Sequence, residues 1–356
     1  MKIKLLKFFD LFIGLPAVRL FPSPKKKPNR VIAKILIIRP GGIGDAVLLI
    51  PLIQSIKKTF PKATLSFLAE TRNAAVFQLC PEIDAVLHYD RPTELITALR
   101  SSYDLVIDTE QWHRLSAVVA RLTRATVSIG FATNERQRLF SKPVPYSQDE
   151  FEVYSFLKLF GPYGEDSFNP NRSFIEIPER YTASVRPLLN RLGRGKLVAI
   201  FPGSSIDERK WGINRFHETA KLLAGQGYHL AVIGGKDDVS AGRDIISDIP
   251  ESLNLCGKLS LPETAAVLKE STLLITGDSG IMHIGYGLGI KVLALFGPGR
   301  EQKWAPRGKN CKVINKHLPC SPCTTFGYTP KCKRNAECMK RITVEEVFEA
   351  SMTMLK

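Results

Sequence analysis

Long apolar runs are what this 356-residue sequence most plainly lacks. A membrane-spanning helix needs about 18 consecutive apolar residues, and the most apolar early stretch is interrupted by Asp10 and Arg19. No small-x-small pattern follows that stretch, which argues against a removable secretory leader. Internal repeats and low-complexity tracts are also missing, which excludes a solenoid or array. Acidic residues are scarce: 34 Asp and Glu stand against 50 Lys and Arg, for a formal charge of +16. The excess is local. Residues 1–30 hold eight Lys or Arg against Asp10, and residues 300–341 hold eleven against Glu301 and Glu337. The rest of the chain is charge-balanced, as the body of a soluble enzyme is. Trp304, Phe326 and Tyr328 fall in the second basic segment, a mixture able to hold phosphates and stack bases. No nucleic-acid reader motif accompanies them, so nucleic acid ranks last among the partners considered.

What is present is a 44% hydrophobic content in a chain too long for one typical domain, which predicts two cores. Two glycine-bearing corners organise it, Gly41-Gly42-Ile43-Gly44-Asp45 and Thr276-Gly277-Asp278-Ser279-Gly280-Ile281-Met282-His283. Each follows an apolar run suited to a buried strand and opens a helix. Glycine admits a ligand close to the backbone, and a helix start offers unpaired N–H groups to an anion. Further strands are expected at 63–68, 85–87, 105–108 and 126–129, then at 197–201, 230–233, 273–276 and 292–296, with helical segments between them. This rhythm predicts an α/β chain of two parallel-sheet domains facing each other across a cleft. The expected division is a basic N-terminal segment at 1–30, a first domain at 31–190 and a second at 191–356, the turn at 191–196 marking the boundary.

Neither corner has the spacing of a dinucleotide fingerprint or a Walker loop. Asp45, at the opening of a helix, is suited to accept a proton from an attacking hydroxyl, although a helix-capping carboxylate has the same sequence appearance. The segment Ile38-Arg39-Pro40-Gly41-Gly42-Ile43-Gly44-Asp45-Ala46-Val47-Leu48-Leu49-Ile50-Pro51, the turn Phe201-Pro202-Gly203-Ser204-Ser205 ahead of Arg209-Lys210-Trp211, and Asp278–His283 followed by Phe296-Gly297-Pro298 together resemble glycosyltransferase family 9, the ADP-heptose:lipopolysaccharide heptosyltransferases. The resemblance spans roughly residues 31–350. It implies a GT-B architecture of two Rossmann-like domains, acceptor on the first and nucleotide-sugar on the second. It also implies metal-independent transfer with inversion, ADP-heptose as donor, no catalytic cofactor, and a lipopolysaccharide-core or related lipid-linked saccharide as acceptor. Asp45 then matches the general base. Ser204, Ser205 and either Arg209 or Lys210 match the phosphate-binding turn. Asp278, Ser279, Gly280 and His283 match the donor corner, where a capped helix with a core histidine is the competing reading. Leu259 matches an apolar contact to the nucleotide.

The departures from the family pattern bear on substrate identity. Lys236-Asp237-Asp238 stands where some members present a glutamate to the ribose, which leaves Asp237 as the candidate. Asp108-Thr109-Glu110-Gln111-Trp112-His113-Arg114 replaces the usual glutamine-glycine turn on the acceptor side, and reads either as acceptor-binding or as a surface loop. Cys320, Cys323, Cys332 and Cys338 are spaced to hold one structural zinc or iron, with disulfides or free thiols as the alternatives. Near the start, polar or small residues at 4, 7, 10 and 14 leave a broad apolar face, and Pro16 is expected to stop that helix. A basic linker at 22–28 follows. The segment is expected either to lie on an anionic membrane surface, at the cytoplasmic face of the inner membrane, or to pack on its own domain.

Overall fold

The computed structural model describes residues 10–24, 31–164, 168–193, 195–325 and 328–356. The chain divides into two compact units, Met1–Phe168 and Asn169–Lys356. This division falls before the expected turn at 191–196. The reason is the packing of the intervening segment. Phe174 and Ile175 donate their backbone N–H groups to the Gly287 carbonyl, and helix Glu179–Leu189 packs on helix Leu261–Lys269.

The first unit holds a parallel sheet of β1 (Lys34–Arg39), β2 (Thr64–Ala69), β3 (Ala85–His88), β4 (Leu105–Asp108), β5 (Val127–Phe131) and β6 (Lys142–Val144), in the order β3-β2-β1-β4-β5-β6. The second holds β7 (Leu197–Phe201), β8 (His229–Val232), β9 (Ser252–Asn254), β10 (Leu273–Gly277), β11 (Lys291–Phe296) and β12 (Cys311–Asn315), in the order β12-β11-β10-β7-β8-β9. Read from its own first strand, each sheet runs 3-2-1-4-5-6, the Rossmann order. Ile35 to Ile38 and Leu273 to Ile275 are fully buried, as strands covered by helices on both faces must be. The order reverses between β1 and β4 in one sheet and between β7 and β10 in the other. In open α/β sheets, ligands bind beyond the carboxyl ends of the strands at that reversal.

The expected helix from Asp45 to about Thr59 is two helices, Ile43–Leu48 and Ile50–Thr59, with Pro51 in the first turn of the second. Pro16 does not stop a helix either. It lies in the first turn of Leu15–Leu20, where its missing N–H costs no hydrogen bond, after a π-helical turn at Asp10–Gly14. The expected amphipathic helix begins in residues 1–9, outside the described residues. Its described part is docked on the first unit. Val18 is fully buried among Leu36, Val106 and Phe140, and Asp10 is 4% exposed. Asp10 Oδ1 accepts from the backbone N–H groups of Arg114 and Leu115, capping helix Arg114–Leu122 from a hundred residues away, and Oδ2 pairs with the Arg114 guanidinium at 3.2 Å. The terminal helix Val344–Leu355 buries Val347, Ala350 and Leu355 in the core of the second unit. No helix among the described residues is long and apolar enough to cross a membrane.

Candidate functional site

The sequence-predicted residues fall into two separate clusters, one at the strand-order reversal of each sheet. In the first unit β1 ends at Arg39, and a turn through Gly41, which holds φ +140°, leads into the helix carrying Asp45. The Arg39 side chain folds back beneath that turn and is almost wholly buried. Its Nη2 pairs with Asp45 Oδ1 at 2.6 Å, while Nη1 donates to the Thr109 carbonyl and to Gln111 Oε1, both at 2.8 Å. Gln111 Nε2 in turn donates to Glu152 Oε1 at 2.6 Å and reaches Asp45 Oδ1 at 3.4 Å. Tyr146 Oη donates to Glu152 Oε2 at 3.1 Å. Burial works against the Arg39 charge, but Asp45, Glu110 and Glu152 together hold its pKa above the ordinary value. Burial also opposes ionisation of Glu110. His113 and the guanidinium of Arg39 outweigh it, so this carboxyl sits well below the usual range.

Asp45 is thus a carboxylate with one oxygen held by a buried cation and the other, Oδ2, beside Gly42. Its side chain is 21% exposed, so a substrate hydroxyl can reach it. The segment 108–111 is not a surface loop: all four residues are buried at the end of β4. Asp108 forms a fully buried ion pair with Arg136 and accepts from Ser116 Oγ at 2.9 Å. Burial raises its pKa against the pull of that arginine. Of the segment, Gln111 comes within reach of Asp45, while His113 and Trp112 remain partly exposed at its end.

In the second unit, Ser204 and Ser205 lie in the turn after β7, where Ser204 Oγ accepts from the Ile206 N–H at 3.2 Å and Ser205 is exposed. Arg209 and Lys210, indistinguishable by sequence, point to different places. Arg209 Nη1 pairs with buried Asp278 Oδ2 at 2.9 Å, whereas Lys210 is turned to the surface against Asp207 at 2.7 Å. Ser279 caps helix Gly280–Gly287, its Oγ accepting from Met282 N–H at 3.2 Å. His283 is buried one turn on, with no partner for Nδ1 among the described residues and the ring edge-on to Trp304. Burial, with Arg209 nearby, depresses its pKa to about 3, so the imidazole is neutral. Asp237 is exposed. Its neighbour Asp238 is the carboxylate folded inward: Oδ2 accepts from Gly235 N–H at 2.8 Å, and an added Cβ at Gly203 or Gly234 would meet Asp238 at 2.6 Å. Leu259 is half-buried just ahead of the capping Ser260.

Cys320, Cys323, Cys332 and Cys338 line one recess together with Glu208 and Pro298. The recess backs onto the donor-side corner: the N–H groups of Cys323 and Thr324 donate to the Pro298 carbonyl, and the Cys332 N–H reaches Glu208 Oε1, next to Arg209. All four are free thiols, and burial raises the pKa of Cys323 and Cys338. Among the described residues, no three His, Cys, Asp or Glu side chains are grouped so that they could hold a metal ion.

A family model for glycosyltransferase family 9 (heptosyltransferase) matches residues 93–333. The chain is 28% identical over 290 residues to lipopolysaccharide heptosyltransferase 3 of Escherichia coli, covering 75% of this chain and 84% of that protein. It is 26% identical over 332 residues to lipooligosaccharide heptosyltransferase 2 of Campylobacter jejuni, covering 91% and 98%. Among solved structures, the ADP-heptose lipopolysaccharide heptosyltransferase II of E. coli aligns with a TM-score of 0.74 at 19% identity, over 90% of this chain and 98% of that one. An iron-containing dodecameric glycosyltransferase from enterotoxigenic E. coli aligns at 0.59 and 15% identity, over 94% and 77%.

Proposed function

The chain belongs to glycosyltransferase family 9, and we propose that it moves heptose from ADP-heptose to a saccharide of the lipopolysaccharide core or a related lipid-linked acceptor, with inversion and without a catalytic metal. The observation that carries this reading is the Arg39-anchored carboxylate of Asp45 at the reversal point of one sheet, with its counterpart Arg209–Asp278 at the reversal point of the other. Asp45 Oδ2 takes the proton of the acceptor hydroxyl as its oxygen attacks the anomeric carbon. The sugar–phosphate bond then breaks on the opposite face, and the nucleoside diphosphate leaves with the electron pair. Arg209 meets the charge that grows on the leaving phosphate, an assignment supported by its buried pairing with Asp278 and by the outward turn of Lys210. His283, neutral and with no partner for Nδ1 among the described residues, is suited to hydrogen-bond an uncharged or anionic donor group. Asp278 orients Arg209 through their ion pair. Ser204, Ser279 and the Gly280 backbone supply further donors.

The names of the relatives, heptosyltransferases acting on lipopolysaccharide or lipooligosaccharide, support the donor and acceptor classes. Phe12 and Ile13, 59% and 53% exposed beside exposed Arg19, support attachment to an anionic membrane face, which co-flotation with anionic vesicles tests. The decisive assay supplies ADP-heptose and a panel of other nucleotide-sugars with lipopolysaccharide-core acceptors and follows product mass and released nucleotide. Transfer from ADP-heptose is expected. Folded protein that binds ADP-heptose yet transfers from no donor refutes the reading. Asp45→Asn, similar in size but unable to accept the proton, should lose about 10²–10⁴-fold in turnover while keeping its affinity for ADP.

A further inference from the structure

Behind Asp45 lies a buried carboxylate that no motif marks. Glu152 opens helix Glu152–Lys158, far from the glycine corner in sequence, and is fully buried. Its oxygens accept from Gln111 Nε2 at 2.6 Å and from Tyr146 Oη at 3.1 Å. Gln111 can face only one way. With Oε1 taken by the Arg39 guanidinium at 2.8 Å, its amide nitrogen is left to the carboxylates of Glu152 and Asp45. The reverse orientation would set NH₂ against a cation and oxygen against two acids.

We propose that Glu152 is a positioning residue for Asp45, acting through the Gln111 side chain. This rests on the reading of Asp45 as the base. Glu152 orients the amide that restrains Asp45 Oδ1, so that Oδ2 is the oxygen presented to the acceptor. Its negative charge also shares Arg39, which would otherwise act on Asp45 and Glu110 alone. The charged and titratable groups that face this cluster are Arg39 from β1, Glu110 from the turn after β4, and Tyr146 and Glu152 from the stretch after β6. The turn Ala74–Leu79, also packed on the Asp45 helix, contributes none.

The test compares Glu152→Gln, Glu152→Asp, Gln111→Met and Asp45→Asn in the full chain, with ADP-heptose and the core acceptor that supports transfer. In Glu152→Gln the Gln111 amide loses the carboxylate that orients it and is no longer held toward Asp45. The kcat of this variant should fall roughly tenfold as Asp45 loses that restraint, with ADP affinity and donor KM unchanged. Glu152→Asp keeps a carboxylate for the Gln111 amide and should recover most of the wild-type kcat. Where Glu152→Gln fails to fold, Gln111→Met severs the bridge with both carboxylates in place, and a roughly tenfold lower kcat at unchanged donor KM is the expected result. An unchanged kcat in Glu152→Gln or in Gln111→Met, or no recovery in Glu152→Asp, beside an inactive Asp45→Asn overturns this inference alone. Full turnover in Asp45→Asn overturns the base assignment and this inference with it.

Discussion

Replacing Asp10 by alanine should destabilise the first unit even though residue 10 lies in a segment whose composition suggests membrane attachment. The Asp10 carboxylate caps two backbone N–H groups at the start of helix Arg114–Leu122 and pairs with the Arg114 guanidinium, both side chains being mostly buried. Loss of a cap costs about 1 kcal/mol. Loss of a buried ionic partner costs up to about 3–5 kcal/mol when the remaining charge is stranded. Arg114 is not stranded, because Glu135 holds it from the other side at 2.7 Å, so a total of about 2–3 kcal/mol is expected. For a unit spanning residues 1–168, that lowers Tm by about 4–10 °C. Differential scanning calorimetry reads the shift directly. Asp10→Asn keeps an oxygen for the two amides and loses only the charge, so its shift should be about half as large. The helix it caps follows directly on the segment holding Gln111, so kcat should fall along with Tm. A wild-type melting temperature for Asp10→Ala would show that the contact is not formed in solution and that the segment is free to leave the domain.

Three further outcomes follow from the second unit. Gly299→Ala places a Cβ 2.1 Å from Asp278 Oδ2, an atom that cannot retreat while Arg209 holds it at 2.9 Å. Titration calorimetry should then show ADP affinity about tenfold weaker, equivalent to about 1.4 kcal/mol, at a Tm near wild type; an unchanged Kd refutes the placement. His283 takes a proton in the unfolded chain near its ordinary value but in the folded chain only at about 3. Stability is therefore lost as pH falls from about 6.5 toward 3, by at most about 1.4 kcal/mol per unit. His283→Gln should show a shallower loss in urea unfolding between pH 7 and 4.5, and identical slopes would refute the buried neutral imidazole. Cys320, Cys323, Cys332 and Cys338 share one recess without being grouped to hold an ion in this arrangement, so binding zinc or iron requires the four thiols to close up; one equivalent on elemental analysis, abolished in Cys320→Ser/Cys323→Ser, is the outcome that shows it. Fully reduced, active protein without stoichiometric metal rejects that site.

The inner strands of both sheets were legible because parallel strands buried on both faces leave unbroken apolar runs; β4 and β7 begin and end where the sequence places them. The strands missed all lie at sheet edges. β6 contains Pro143, β9 has three residues and β12 mixes cysteine, lysine and asparagine, so none needs the apolar run that marks an inner strand. Asp45, Asp278 and Ser279 could be found because glycine corners flag them. Arg209 could not be separated from Lys210, and the sequence pointed to Asp237 where Asp238 is the carboxylate folded inward, because adjacent residues in a tight turn project in different directions and composition carries no direction. Arg39, Gln111 and Glu152 show a deeper limit: their contacts with Asp45 and with each other span from 6 residues to well over 60, and no local pattern records a contact made by tertiary packing. What brings them together is strand order. β4 adds beside β1, and β10 beside β7, on the side away from the strand that follows in sequence. The loops after those neighbouring strands must then diverge to opposite faces of the sheet and leave a crevice between them. A carboxylate in the first turn of the helix after β1 and its restraining amide on the loop after β4 meet there for the same topological reason that Arg209 meets Asp278.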